Sequence, residues 1–376
     1  MKKRYIIIGS GIVGASTAYQ LAKTGADVTI VDRSDNGQAT DAAAGIICPW
    51  ISQRRNKAWY RLAKNGARIY HELIEQLAQD GQIDTGYSRV GAISIHTDED
   101  KLIAMRERAI KRREEAPEIG EVILQNAQQT KAMFPLLSDA YSSVFISGAA
   151  RVDGRKLRHA LLKAAIKHGA HFIEGDARLM HDDTTVTGIT IQGQSIEADC
   201  VIAATGAWMN ELIQPLGMTF DVTPQRAQIM HLQVPDIDTS NWPVVMPPAD
   251  QYMLTFDDNR IVIGATHEND TGFDYRVTAG GLHDILNKAM AIAPGLNDST
   301  VLETRVGFRP FTPGFLPVIG PLPGIDGLVL ANGLGSSGLT MGPYIGTQLA
   351  KLASGEELEI DLNDYPVSGA VKQSEC

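Results

Sequence analysis

Three glycines near the start of the chain have the spacing of a phosphate-binding loop. Gly9, Gly11 and Gly14 form G-x-G-x-x-G, and Asp32 ends the second apolar run that follows. In this pattern the first glycine allows a tight turn, the second lets the backbone approach a pyrophosphate, and the third lets a helix pack closely on a strand. The helix N-terminus attracts the phosphates, and the acid accepts hydrogen bonds from ribose hydroxyls. The pattern predicts a dinucleotide site. A glycine-rich structural turn is the alternative, but it does not explain Asp32.

The elements that would position this loop surround it in the sequence. Tyr5 to Ile8 is an apolar run typical of a buried parallel strand. Apolar residues then recur at helical spacing as far as Ala22, Gly25 closes the helix, and Val28 to Val31 forms a second strand. The stretch is a strand–loop–helix–strand unit, and Asp32 favours FAD or NAD over NADP, whose ribose is phosphorylated.

Composition excludes several classes of protein. The chain has 376 residues, enough for two domains, and a net charge of −10, which argues against a nucleic acid or an anionic membrane surface as partner. Its three cysteines, Cys48, Cys200 and Cys376, are widely spaced and odd in number, which favours a reducing cytoplasm over a disulfide framework. No apolar run approaches the roughly 20 residues of a membrane span.

The distribution of strand and helix patterns predicts two domains. A second set of strand candidates, at 228–234, 252–256 and 260–264, separates an apolar strand at 200–204 from another at 328–331. We therefore predict an α/β fold in which a discontinuous Rossmann-like nucleotide-binding domain carries an inserted α+β substrate domain with an antiparallel or mixed sheet. The predicted ranges are 1–85, 145–222 and 305–376 for the first domain, and 86–144 and 223–304 for the second.

Five separated stretches together resemble one family. They are GSGIVG with Asp32, the AT…AAAGI segment at 39–46, AATG at 203–206, RPFTPGFLPVIG at 309–320 and GLGSSGLT at 333–340. Their order and spacing resemble the D-amino-acid oxidase superfamily of FAD-dependent amine oxidoreductases, especially the branch of glycine oxidase, sarcosine oxidase and D-amino-acid dehydrogenase. The resemblance covers nearly the whole chain, so it implies that the nucleotide-binding domain is an FAD-binding domain.

The resemblance also implies the residues that contact FAD. Ile12 and Val13 would present backbone N–H groups to the pyrophosphate, Asp32 and Arg33 would hold the ribose, and the backbone of Arg178 would pair with adenine. The other implied contacts are Gly9, Ser10, Gly11, Gly14, Ala39, Thr40, Ala44, Gly45, Ile46, Gly206, Leu334, Gly335, Ser336, Ser337, Gly338, Leu339 and Thr340. Taken alone, the segment at 39–46 also fits a tightly packed helix start, and 333–338 also fits a plain strand-to-helix turn. Sarcosine oxidase has a covalent cysteine–flavin link, but this chain has no cysteine between 201 and 375, so we expect the FAD to be bound non-covalently. We expect no metal.

Arg309 is the residue that the resemblance assigns to the substrate carboxylate, and Tyr252 is assigned to the substrate side. A planar guanidinium is well suited to a carboxylate. A structural salt bridge is the alternative for Arg309, and a half-buried core position is the alternative for Tyr252. The chain departs from the family pattern at Ser336, where glycine oxidase has an arginine, and at Val262, where sarcosine oxidase has a lysine.

The implied reaction is oxidation of the C–N bond of a small amino acid, of the D-amino-acid, glycine or N-methylglycine type. Hydride passes from the α-carbon to flavin N5, and the imine hydrolyses to a keto acid. No acid–base residue is required, and His267 is interpreted as structural. Oxygen or another carrier would accept the electrons, and the protein would be a cytoplasmic enzyme, with a homo-oligomer left open. The alternatives are the FAD oxidase domain of a tRNA-modifying enzyme, a non-catalytic dinucleotide-binding protein and a simple NAD dehydrogenase.

Overall fold

The computed structural model describes residues 2–235 and 237–373. The strands are, in chain order, β1 (Arg4–Ile8), β2 (Asp27–Asp32), β3 (Ile46–Ile47), β4 (Ala92–His96), β5 (Val122–Gln125), β6 (Ser142–Ile146), β7 (Ala150–Arg151), β8 (His171–Glu174), β9 (Ala177–Asp182), β10 (Thr185–Ile191), β11 (Gln194–Glu197), β12 (Cys200–Ala203), β13 (Met218–Phe220), β14 (Thr223–Gln233), β15 (Val244–Met246), β16 (Tyr252–Thr255), β17 (Arg260–Gly264), β18 (Thr300–Phe311), β19 (Val318–Pro321), β20 (Leu328–Asn332) and β21 (Val371–Gln373). The α-helices are α1 (Ile12–Lys23), α2 (Lys57–Gln79), α3 (Glu99–Arg113), α4 (Ala127–Met133), α5 (Gly154–Lys167), α6 (Met209–Ile213), α7 (Ala279–Ile292) and α8 (Gly338–Ser354).

A six-stranded sheet carries the glycine-rich loop. Its order is β19-β20-β12-β1-β2-β8, and every neighbouring pair is parallel except β19 with β20. Tyr5 and Ile7 of β1 pack in the same core as α1, α5 and α8, whereas Ile6 and Ile8 pack with residues of β10. Because both faces are covered, the strand is continuously apolar, as the sequence predicts.

A second sheet of eight strands supplies the opposite side of the molecule. Its order is β18-β14-β17-β16-β15-β4-β6-β5, and its pairs are antiparallel except β15 with β4. Alternate side chains of β14 face two different cores: Ile229 packs toward the first sheet, and Met230 packs with Ile285 of α7. The predicted fold class, a Rossmann-like sheet with a separate largely antiparallel substrate-domain sheet, is confirmed.

The residue ranges of the two domains remain a prediction. All the strands between 223 and 304 belong to the eight-stranded sheet, among the residues that the structure describes. Strand β18 runs from Thr300 to Phe311, however, and it pairs with β14 along its whole length. A boundary at 305 therefore falls inside one continuous strand, so we propose that the chain returns to the first domain only after Phe311.

Small residues bring α1 and α8 close together. A Cβ atom added at Gly342 would lie 2.6 Å from Ile12 Cγ2, and one added at Gly346 would lie 2.5 Å from Ser16 Cβ and 2.9 Å from Thr17 N. Any larger side chain at these glycines would push the two helices apart. Both helices begin at the same end of the parallel sheet, so this packing holds the 9–14 loop beside the 334–340 segment.

Candidate active site

A cavity of about 1370 Å³ extends between the two sheets. The loops after β1, β2, β12 and β20 line one part of it, as expected for a ligand at the carboxyl ends of parallel strands. Tyr252 and Arg309 of the eight-stranded sheet line the other part. A single cavity therefore joins the predicted dinucleotide site to the predicted substrate residues.

The three glycines of the loop have different surroundings. Gly9 has φ of +96°, and a Cβ there would lie 2.5 Å from Ala204 O. A Cβ at Gly14 would collide with the carbonyl oxygen of Gly9. At Gly11 a Cβ would meet only Thr40 Oγ1, at 3.5 Å, and Gly11 lines the cavity. The backbone at Gly11 is thus the part of the loop that a ligand can approach.

Asp32 is buried and already accepts four hydrogen bonds. Its carboxylate receives them from Ser10 N at 2.5 Å, Ser10 Oγ at 2.8 Å, Ser34 N at 2.6 Å and Gln38 Nε2 at 2.9 Å. Gln38 lines the cavity, and its other amide atom, Oε1, is buried with no hydrogen-bond partner among residues 2–235 and 237–373. A buried acceptor without a donor is costly, and a ribose hydroxyl would satisfy it. The lining therefore fits a dinucleotide, through a residue that the sequence analysis did not select.

Other predicted dinucleotide contacts lie at the cavity with partners of their own. Arg33 lines the cavity, but its guanidinium forms ion pairs with Asp35, Asp176 and Glu211. The Ile12 N–H, which the resemblance directs to the pyrophosphate, donates to Thr40 Oγ1 at 3.0 Å. Arg178 lies on β9 with an exposed side chain. Seven further predicted contacts line the cavity: Val13, Ala39, Ala44, Gly45, Ile46, Arg178 and Gly206. Ser10 and Gly14 belong to the loop but are not among the lining residues.

The glycine-rich segment at 334–340 is the N-terminal approach to α8. Every residue from Leu334 to Thr340 lines the cavity. Thr340 Oγ1 donates to Ile46 O at 3.0 Å, and Asn332 Nδ2 donates to Gly206 O at 2.8 Å. Through Ile46, Gly206 and Thr340, these two hydrogen bonds involve three segments that the resemblance implies as FAD contacts. The N-terminus of α8 brings a positive dipole end to this part of the cavity.

Arg309 is a largely buried cation that has no acidic partner among the described residues. Its guanidinium donates to Gln225 Oε1 at 3.1 Å, to Thr266 O at 3.5 Å and to the Tyr252 hydroxyl. Within residues 2–235 and 237–373, no carboxylate lies at ion-pair distance from it. Burial lowers the pKa of Arg309, which records the cost of an uncompensated charge. An anionic ligand would remove this cost.

Glu268, two residues after Thr266, is occupied by other groups. Glu268 accepts from Arg226 Nη2 at 2.5 Å, from Gln228 and from Thr266. Burial raises the pKa of Glu268, but these hydrogen bonds outweigh it and the pKa is lowered. Arg226, on the neighbouring strand β14, is buried between Glu268 and Asp274 and does not line the cavity.

The phenol of Tyr252, on β16, interacts with the guanidinium of Arg309, on β18. A Cβ added at Gly264, its partner on β17, would lie 2.9 Å from the Tyr252 hydroxyl oxygen, so the glycine makes room for the ring. Burial raises the pKa of Tyr252 to about 12, although Arg309 acts in the opposite direction. The phenol is therefore neutral at pH 7 and serves as a hydrogen-bond donor.

His267, which the sequence analysis interprets as structural, lines the same part of the cavity. Its Nδ1 lies 3.3 Å from Asp250 Oδ2, and the preceding carbonyl, of Thr266, accepts from Arg309. The available signal in the sequence was its position just after the strand that pairs with Tyr252. That signal was too weak to use, because the segment after Gly264 leaves β17 and has no regular periodicity.

Known proteins match the chain over nearly its full length. It is 62% identical over 370 residues to YurR, an uncharacterized oxidoreductase of Bacillus subtilis, with 98% of this chain and 100% of the relative covered. It is 30% identical to a glycine oxidase of Pseudomonas aeruginosa, with 98% and 100% covered. The crystal structure of iminodiacetate oxidase (IdaA) from Chelativorans sp. BNC1 superposes with a TM-score of 0.94 at 45% identity, covering 96% of this chain and 98% of the other.

The family comparison agrees with these similarities. Residues 4–352 match the family described as DAO, FAD dependent oxidoreductase. Among the described residues, no helix is both long enough and apolar enough to cross a membrane. The matched range includes the glycine-rich loop, Tyr252, Arg309 and the start of α8. The chain belongs to the DAO family of FAD-dependent oxidoreductases, in the branch of glycine oxidase and iminodiacetate oxidase.

Proposed function

We propose that this protein oxidises the C–N bond of a small glycine-type amino acid whose carboxylate is held by Arg309. The observation that carries the proposal is the Arg309 guanidinium, which lines the cavity without an acid to neutralise it. A charge-assisted pair with a substrate carboxylate would compensate that buried cation. The names of two relatives support a glycine-type amine, since one is a glycine oxidase and the other an iminodiacetate oxidase.

The protein's own groups would position the substrate. FAD, when bound, supplies the electron acceptor that takes a hydride from the α-carbon. Arg309 fixes the carboxylate by two parallel hydrogen bonds, and the neutral Tyr252 hydroxyl donates a further one. The α-carbon is thereby held beside the 334–340 segment, with water largely displaced by the substrate. The imine formed by loss of the hydride hydrolyses in water to a keto acid and an amine.

We further propose that FAD is held without a covalent bond. Cys48 lines the cavity, and burial raises the pKa of its thiol to about 12. A buried thiol of this kind is protonated at neutral pH and is a poor nucleophile. Cys200 lies on β12, does not line the cavity, and burial raises the pKa of its thiol to about 11. Because neither thiol is activated to attack the flavin, we expect the cofactor to dissociate from the unfolded protein.

The test is anaerobic bleaching of the yellow protein by a panel of amines. The panel is glycine, sarcosine, iminodiacetate, D-alanine and D-proline, and each is paired with the corresponding amine that lacks the carboxylate. We expect at least one glycine-type amino acid to bleach the flavin, and its carboxylate-free analogue to be much slower. Equal rates for both members of every pair would contradict the role of Arg309. Readmitting air then decides whether oxygen or another carrier is the electron acceptor.

A further inference from the structure

We propose that His267 is the base that takes the proton from the substrate amine before the C–H bond breaks, and that Asp250 positions its ring. The inference rests on the proposed function. Amino acids carry an ammonium group at neutral pH, and an ammonium has no lone pair with which to form the C=N bond. A proton must therefore leave inside the site, or the enzyme must select the rare neutral form of its substrate.

The geometry places an imidazole beside the carboxylate anchor. His267 follows Thr266, whose carbonyl accepts a hydrogen bond from Arg309 Nη1, so the anchor and the imidazole belong to one wall of the cavity. In an amino acid the amine and the carboxylate are attached to the same carbon. A carboxylate on Arg309 therefore brings the amine close to this wall.

The contact with Asp250 selects the tautomer of the ring. Asp250 Oδ2 lies 3.3 Å from Nδ1, which assigns the neutral-ring proton to Nδ1 and leaves Nε2 as the acceptor. The side chain of His267 is 36% exposed. This exposure allows the captured proton to pass to water after each turnover.

The charges around His267 favour its basic form. Burial lowers the pKa of His267, and the cations Arg309 and Lys288 lower it further, whereas Asp250 and Asp284 act to raise it. The net result is a pKa below the ordinary histidine value, so the ring is neutral at pH 7 and accepts a proton. A carboxylate bound to Arg309 reduces the repulsion from that cation, and the ring becomes more basic when the substrate arrives.

Tyr252, the other titratable group that touches the anchor, does not compete for this role. Burial raises its pKa to about 12, so it has no basic form at neutral pH. The ammonium proton goes to His267 Nε2, and the freed lone pair on nitrogen forms the C=N bond. At the same time the α C–H bond breaks, and its electron pair passes with the hydrogen, as hydride, to the oxidised flavin. The proton on His267 leaves to solvent.

The experiment measures the rate of anaerobic flavin bleaching against pH for the native protein and for His267→Gln. A positioned base contributes about 100- to 10,000-fold, so we expect the variant to be at least about 100-fold slower at pH 7. Above the pKa of the substrate amine the neutral form predominates in solution, and there the variant should recover to near the native rate. His71→Gln is the matched control, because His71 is 82% exposed on α2, remote from the cavity.

Asp250→Asn is the second variant, and it keeps the imidazole in place. It should lose less rate than His267→Gln and show the same recovery at high pH. A His267→Gln deficit that is equal at every pH would assign His267 a structural role, and no deficit at pH 7 would remove it from the reaction. If the proposed function is wrong, the result is different, because no amine of the panel would then bleach the flavin of the native protein. Retained FAD in each variant shows that the protein has folded.

Discussion

Arg226 and Arg309 lie on neighbouring strands but have different partners, and these partners distinguish a structural arginine from one that is available to bind a ligand. Gln225 and Arg226 of β14 pair in register with Arg309 and Phe308 of β18. Arg226 forms ion pairs with Glu268 and Asp274, whereas the hydrogen bonds of Arg309 go to neutral acceptors, Gln225 and the Thr266 carbonyl. The sequence shows two arginines on adjacent strands, but it does not show which one is paired.

Replacing Arg309 by leucine should weaken catalysis without removing the cofactor. Hydrogen bonds to charged groups contribute roughly 1.5–3 kcal/mol, so kcat/KM should fall by about 10- to 160-fold. Arg309→Lys should recover only part of the loss, because a point charge cannot make the two parallel bonds. Steady-state rates and the flavin-to-protein ratio are the measurements. The control is Arg68→Leu, at a half-exposed surface pair with Glu359; an equal loss in both variants would contradict the assignment.

Replacing Gln38 by leucine should weaken FAD binding. The change removes the donor to Asp32 and the buried acceptor Oε1 of a residue that lines the cavity. A typical hydrogen bond contributes about 0.5–1.5 kcal/mol, so Kd should rise about 2- to 13-fold for each bond lost. Titrating the apoprotein with FAD and following flavin fluorescence measures this directly. Gln79→Leu, at an exposed position of α2, should leave Kd unchanged; an unchanged Kd in Gln38→Leu would remove Gln38 from the site.

At the scale of elements, the contact between α1 and α8 depends on glycine. Gly346→Ala would place its new methyl group against Ser16 and the backbone of Thr17. Overpacking of this kind costs about 1–3 kcal/mol, so Tm should fall. Gly280→Ala, in α7, has open space around the added methyl group and should leave Tm unchanged or raise it slightly, since alanine favours helix. Differential scanning calorimetry of both variants is the test. Equal values of Tm would show that the helices can separate freely.

Local elements follow closely from the sequence. Apolar residues at helical spacing over 57–80 and 154–168 predict two helices, and these are observed at Lys57–Gln79 and Gly154–Lys167. The predicted strand at 260–264 is observed unchanged. These segments have a strong periodicity and a clear end, which are properties of the chain itself. The predicted family, fold class and FAD dependence are confirmed by the comparisons.

What could not be predicted depends on pairing between distant segments. The strand that starts at Thr223 is longer than the predicted 228–234, because pairing with β18 continues past the apolar residues to Thr223. The ion pairs of Arg33 join residues 176 and 211, and the cavity position of His267 depends on a segment without regular structure. Propensity and periodicity carry no information on such contacts. The individual site residues, the domain ranges and the cytoplasmic location stay predictions.

At the scale of the whole molecule, the cofactor should leave intact when the fold is destroyed. Acid precipitation should release all the yellow colour into the supernatant, because neither Cys48 nor Cys200 is activated for attachment. Absorbance of the supernatant and the pellet measures the partition. Colour that stays with the pellet would show a covalent link. The precipitated apoprotein, refolded at neutral pH, should melt at a higher temperature when FAD is added, and a free FAD concentration of 100 times Kd corresponds to about 2.7 kcal/mol of added stability.

The lining of the cavity has a consequence for synthesis in the cell. Its residues come from both ends of the chain, from Ile8 to Thr340. At roughly 5–20 residues per second, the ribosome needs roughly 20–70 s to pass from the glycine-rich loop to the start of α8. During that time the nascent chain presents half of a nucleotide site. Flavin therefore meets a complete site only after the start of α8 has been synthesised.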